Sequence, residues 1–177
     1  MKLTPTMEKY ILHWGEMGTR WGINRTVAQI HALLYISPKP LPAEEIATTL
    51  AVARSNVSTS LRELQGWGIV RSVHILGDRR DHFETMTDVW EMFRIIVDER
   101  KKRELDPTIR VLRECVAEAE KSGASEKFVC ERLATMLQFV ETTTAAYSDL
   151  QRLPVGTVRK LIATRSKFRK LFGIGRE

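Results

Sequence analysis

Between Pro42 and Thr85 the hydrophobic period changes while the chain has almost no linker to spend, and few folds satisfy that order. Ile46, Ala47 and Leu50 repeat at helical spacing behind Pro42. Only "AVAR" separates them from Val57, Leu61 and Leu64, which repeat at i, i+4 and i+7 and predict a second helix ending at Gly66 or Gly68. "AVAR" is thus a tight connection between a short helix and a second one. The period then shifts toward two. In "GIVRSVHILGDRRDHFETMT" the strand-formers are Ile69, Val70, Val73, Ile75 and Phe83, and "GDRRD" is expected to be the turn of a β-hairpin. The expected fold is mainly α with a small β-hairpin wing.

The second helix is unusual on its outer face. Arg54, Ser55, Asn56, Ser58, Thr59 and Arg62 stand where an ordinary surface helix would carry Glu and Lys. Base edges in a major groove offer mixed donors and acceptors, which Arg, Asn, Ser and Thr can match. Long acidic side chains there would be repelled by phosphates. Arg79 and Arg80, expected at the hairpin tip, suit the negative potential of a neighbouring minor groove. Short helix, turn, polar-faced helix and basic-tipped hairpin together predict a winged helix-turn-helix that contacts double-stranded DNA. Ala53 cannot cap the second helix through its side chain. If Ser55 caps instead, the helix starts two residues later and turns different side chains outward.

Elsewhere helices dominate. Thr4-Pro5 starts a helix carrying Met7, Tyr10, Ile11, Trp14, Met17 and Trp21, and Asn24 caps the next, which stops before Pro38. "SPKPLP" is expected to be a loop, and the glycines to sit at helix ends and turns. From Asp88 the helical pattern returns, and Asp106-Pro107 is expected to end or kink it. Ser125 is a candidate cap for a helix reaching Leu150, and "LPVG" breaks the chain before a basic amphipathic segment. The domain reading is residues 1–23 as an N-terminal dimerisation helix and 24–86 as the winged helix-turn-helix. Dimerisation helices then occupy 87–156, and a basic amphipathic C-terminal helix occupies 157–177. Met7–Trp21, Val89–Val97 and Val129–Val140 offer more apolar surface than a small winged domain can cover, so a homodimer is expected.

"LLYISPKPLPAEEIA", "NVSTSLRELQGWGIV", "GDRRDHFE" and "ERKKRELDP" occur in one order, and over roughly residues 10 to 120 the sequence resembles the GbsR family within the MarR superfamily of regulators. The resemblance implies homodimeric, ligand-responsive DNA binding, most often repression, with Arg54 to Arg62 in the groove and Arg79 and Arg80 on the wing. Such sequences often have a capping Ser where this chain has Ala53. Some members respond to choline or glycine betaine, so Trp14, Trp21, Trp90, Phe93 and Tyr147 are candidates for a quaternary-ammonium cage, although aromatics at helical spacing more often form plain core.

Charge alone does not point to DNA. The formal net charge is +6, but seven of the 28 basic residues and only one of the 22 acids lie between Thr157 and Glu177, so the first 156 residues are neutral. No apolar run approaches the ~20 residues that span a bilayer, and the N-terminal stretch lacks the apolar core of a signal peptide. Cys115 and Cys130, each beside an apolar stripe, are expected to be buried, inert thiols of a cytoplasmic protein. His13, His31, His74 and His82 are scattered; His31 falls beside core positions, and His74 and His82 fall in the hairpin within reach of phosphate. No metal-ligand spacing, phosphate-cradling loop or nucleophile elbow is present, so neither cofactor nor enzymatic activity is expected. A winged-helix module that binds protein through the same face stays open as the alternative.

Overall fold

The computed structural model describes residues 1–160 and Thr164. The chain divides into two compact units, Met1–Ile95 and a second beginning at Ile96. In the first, α1 (Pro5–Arg20), α2 (Arg25–Ile36), α3 (Ala43–Leu50) and α4 (Arg54–Gly66) accompany a three-stranded antiparallel sheet, with α3 and α4 between its first two strands in chain order. The starts follow local chemistry. The Thr4 hydroxyl accepts from the Met7 N–H at 3.3 Å, and the Asn24 carboxamide oxygen accepts from the Thr26 N–H at 2.8 Å. Ser37, preceding Pro38, is extended and closes α2.

α2 is the central helix. Seven of its residues are buried, more than one face can supply, because α1, α3, α4 and the sheet all pack on it. Ile30, Leu33, Leu41, Ile46, Val57, Leu64 and Ile69 are wholly enclosed and make the core. His31 is buried among them, and its Nε2 has no hydrogen-bond partner among the described residues.

The expected loop "SPKPLP" contains a strand. Leu41 and Pro42 form β1 and pair with Phe83 and His82 of β3 (Asp78–Thr85), which pairs on its other side with β2 (Val70–Ile75). A proline can occupy this edge because the ladder needs no N–H from it there. The hairpin turn is also displaced from its expected place. It is Leu76–Gly77, with Gly77 at φ +86°, so Arg79 and Arg80 belong to β3. Opposite the single residue His74 stand the three residues from Arg79 to Asp81, a bulge that re-aims these side chains.

Two glycines overturn the expectation that all sit at helix ends and turns. Gly15 and Gly18 are buried within α1, where it lies against α2. A Cβ at Gly18 would fall 2.5 Å from the Ala28 Cβ, and one at Gly15 would fall 2.7 Å from the flexible Gln29 side chain. Gly18→Ala is therefore expected to destabilise the chain by about 1–3 kcal/mol, an overpacking cost that exceeds the gain in helix propensity. Thermal melts check this, and Ala28→Gly in the same chain should restore most of the loss. A Gly18→Ala variant as stable as the parent would mean that the two helices can separate freely.

α5 (Val89–Arg100) leads from the first unit into the second, and the Asp88 carboxylate caps it by accepting from the Trp90 N–H at 2.9 Å. Pro107 neither ends nor breaks the helix. A π-helical turn, Lys101–Leu105, precedes α6 (Asp106–Lys121), and the Asp106 N–H reaches the Lys101 carbonyl. The widened turn accommodates a ring that has no N–H and would crowd a regular preceding turn. After a short 3₁₀ turn, Gly123–Glu126, α7 (Lys127–Arg152) packs on α6, with Arg113 Nε donating to Glu141 Oε1 at 2.7 Å. Glu126 occupies the cap position of α7 in place of the expected Ser125. Beyond the break at Leu153, residues 155–160 are helical. Most of the expected basic helix 157–177 lies outside the described residues. Among those described, no helix is long and apolar enough to cross a membrane.

Candidate nucleic-acid interface

α4 buries Val57, Ser60, Leu61 and Leu64 against the domain and leaves the rest of its surface open. All six side chains expected to face DNA are exposed: Arg54, Ser55, Asn56, Ser58, Thr59 and Arg62. At about 100° per residue, Ser55, Ser58, Thr59 and Arg62 make the crest opposite the buried stripe. Arg54 and Asn56 are its two flanks. The helix starts at Arg54 directly after an extended Ala53 that offers no side-chain cap, so the later start at Ser55 does not occur. α4 packs on α2 and α3.

Two arginines are not free. Arg54 forms an ion pair with Glu44 in the first turn of α3. Arg80 donates from Nε to both carboxylate oxygens of Asp78, at 2.9 and 3.1 Å, and this contact holds the Asp78 carboxyl well below the usual carboxylate range. Arg79 is exposed and has no ion-pair partner among the described residues. Sequence reading placed Arg79 and Arg80 together at a tip; the bulge separates their roles, and the tip side chain is the fully exposed Leu76. His82 is not available to phosphate either. It is buried, with Nδ1 3.0 Å from the Arg80 carbonyl oxygen and Nε2 3.4 Å from Asp78. His74 is exposed beside Asp81. Asp78 and Asp81 flank Arg79 and Arg80 in the sequence, so a partly neutralised wing was foreseeable; the pairing of Arg54 was not, since Glu44 looked like an ordinary residue favoured by the dipole at a helix start.

The other candidates fare unevenly. Cys115 and Cys130 are free and half-buried, not fully buried as expected. Trp14 meets Tyr10, ring centroids 5.5 Å apart, while Trp21 and Phe93 are exposed. An open cleft of about 580 Å³ at the base of the wing is lined by residues 68–71 and 84–88. None of them is aromatic, so the cleft does not suit a quaternary-ammonium cage. No cluster of His, Cys, Asp or Glu among the described residues could hold a metal ion.

Closely connected helix pair, exposed polar crest and bulged wing define the class: a winged helix-turn-helix protein. A family model, that of the MarR family, matches residues 21–81, the stretch from the end of α1 to the bulge in β3. The chain is 23% identical over 154 residues to the HTH-type transcriptional repressor GbsR of Bacillus subtilis (strain 168), covering 83% of this chain and 85% of that protein. A crystal structure described as a transcriptional regulator shares 22% identity, with a TM-score of 0.48, over 82% of this chain and 99% of the other. A mutant of S. aureus MepR bound to an oligodeoxyribonucleotide shares 14%, with a TM-score of 0.38, over 94% and 90%. The likeness over residues 21–81 and the similarity to GbsR mark the chain as a DNA-binding transcriptional regulator with a MarR-like domain.

Proposed function

We propose that this DNA-binding transcriptional regulator is a ligand-responsive repressor that binds a pseudo-palindromic operator as a homodimer in the cytoplasm. The observation that carries the reading is α4 itself. From Arg54 to Arg62 it exposes six hydrogen-bonding or cationic side chains and no acid, over a wholly apolar or hydroxyl-bearing back. Residues 24–86 act as the reading domain. Residues 1–23 and 87–156 supply dimerisation helices, and two copies of α4 enter successive major grooves about 34 Å apart. A small-molecule effector shifts this arrangement only through its differential affinity for the two states. Choline, a quaternary ammonium, is the first compound to test, on the strength of the family resemblance.

Selection of duplexes from a random-sequence pool, followed by binding to the selected and a scrambled duplex across a salt series, tests the core of this reading. A steep salt slope with a sequence preference on top supports it. A salt-insensitive interaction without preference sinks it, and favours a face that binds protein.

The wing makes a sharper prediction. Arg79→Ala is expected to weaken binding to every duplex alike and to lower the salt slope by about one per protomer, about two for the dimer. The melting temperature should hold, because the side chain supports nothing else. Arg80→Ala should instead leave the salt slope unchanged, because its guanidinium is already held by Asp78, and lower the melting temperature little, because the pair is exposed. If Arg80→Ala alone changes the salt slope, the assignment of the phosphate contact to Arg79 is reversed.

A further inference from the structure

We propose that Glu44 is a positioning residue for DNA readout: it holds the Arg54 guanidinium at one flank of α4 and so sharpens the sequence discrimination that Arg54 makes. The proposal rests on α4 facing the groove. The contact is built by the fold. Pairing of Pro42 with His82 fixes the start of α3 beside the wing, and Glu44 is the second residue of α3. A left-handed Ala51 at φ 53° then reverses the chain and returns Arg54, the first residue of α4, to that same helix start. Other acids nearby are already engaged. Glu45 accepts from the Met1 ammonium at 2.8 Å, and Asp78 is taken by Arg80. Glu44 is thus the acid that meets the reading helix.

Both side chains are exposed, so the pair contributes little to stability. Its effect lies in orientation. A guanidinium carries five donors in a rigid fork. With Nη2 held by Glu44, the rest of the fork is kept near one orientation at the groove-facing flank. The carboxylate also stands against any phosphate that would capture Arg54 without regard to sequence. Removing the charge while keeping the shape should therefore increase indiscriminate binding and lower selectivity.

The experiment compares the full-length chain with Glu44→Gln, Glu44→Asp, Arg54→Ala and the Glu44→Gln/Arg54→Ala double variant. Affinity is read by fluorescence anisotropy on a duplex selected by the parent chain and on a scrambled duplex, at fixed salt. Glu44→Gln is expected to bind the scrambled duplex more tightly and to lower the selected-to-scrambled ratio by about threefold to fivefold, the upper part of the range of a surface ion pair. Glu44→Asp should recover part of the ratio. In the Arg54→Ala background, Glu44→Gln should leave the ratio unchanged. Equal gains on both duplexes would reduce Glu44 to a repelling charge and overturn the proposal while leaving Arg54 as a reader. If Arg54→Ala itself leaves the ratio intact, Arg54 does not read bases and the proposal falls with that assignment. If the parent chain selects no duplex at all, the groove-facing reading of α4 fails first.

Discussion

Phe139→Glu, combined with Phe128→Glu, is expected to give a folded monomer whose affinity for a two-half-site duplex falls by about a hundredfold or more. The expectation comes from α7, which has 26 residues and buries none of them fully in the single chain. Its exposed apolar side chains are not scattered. Phe128, Val129, Met136, Phe139 and Leu150 fall within an arc of about 100° on the helix. Leu133, Leu137, Val140 and Thr144 are half-buried and lie roughly 110° away, on the side that packs against α6. Phe128 and Phe139 are 68% and 64% exposed, too apolar a stripe to be left to water along so long a helix. A second copy of the chain is the proposed cover. Two linked reading heads gain about 10²–10⁴ in affinity over one, and that gain is what the substitutions remove. Light scattering at micromolar concentration gives the mass, and circular dichroism confirms retained helix. A variant that stays dimeric with parental affinity would move the interface to other exposed apolar positions, such as Leu12 on α1 or Val89 and Phe93 on α5.

Acid should weaken the reading domain well before it titrates the paired carboxylates. Burial pushes the His31 imidazole down from its ordinary value of 6.5 to about 4, with Nε2 unpartnered. The folded state therefore holds this ring neutral where the unfolded chain protonates it. Stability is fully present above pH 6.5 and is lost progressively as the pH falls toward 4. The loss amounts to about 2 kcal/mol between roughly pH 7 and pH 4.5. Chemical denaturation at several pH values measures it. His31→Leu, an apolar side chain of comparable bulk, should remove this part of the slope and leave the remainder to the carboxylates. If parent and variant lose stability in parallel, the native ring accepts its proton at ordinary cost, and the buried nitrogen must be hydrated.

The helices were legible because their signal is local. Ile46 with Leu50, and Val57 with Leu61 and Leu64, show their period within two turns, and Thr4 and Asn24 announce the starts with their own side chains. The six polar positions of α4 were legible for the same reason, since whatever is not on the buried stripe of a docked helix must face outward. A winged helix-turn-helix reading domain followed from this order alone.

Features that depend on distant residues could not be read that way. The strand at Leu41 and Pro42 is two residues long and exists only because β3 lies beside it. The turn moved from "GDRRD" to Leu76–Gly77 because a polar stretch and a tight turn look alike until pairing sets the register. Pro107 stayed inside a helix because a π turn absorbed it. Gly18 acquired its meaning only when Ala28 arrived against it, and His31 its low basicity only when the core closed. Most consequential for function, the wing and reading-helix arginines differ in availability. Arg79 is open and Arg80 is held by its near neighbour Asp78, while Arg54 is held by Glu44 from another helix. Periodicity determines which face of an element is buried, because that depends on neighbours three or four residues away. That Arg54 meets Glu44 is decided by tertiary approach, because a Coulombic partner is chosen by distance in space and not by separation along the chain.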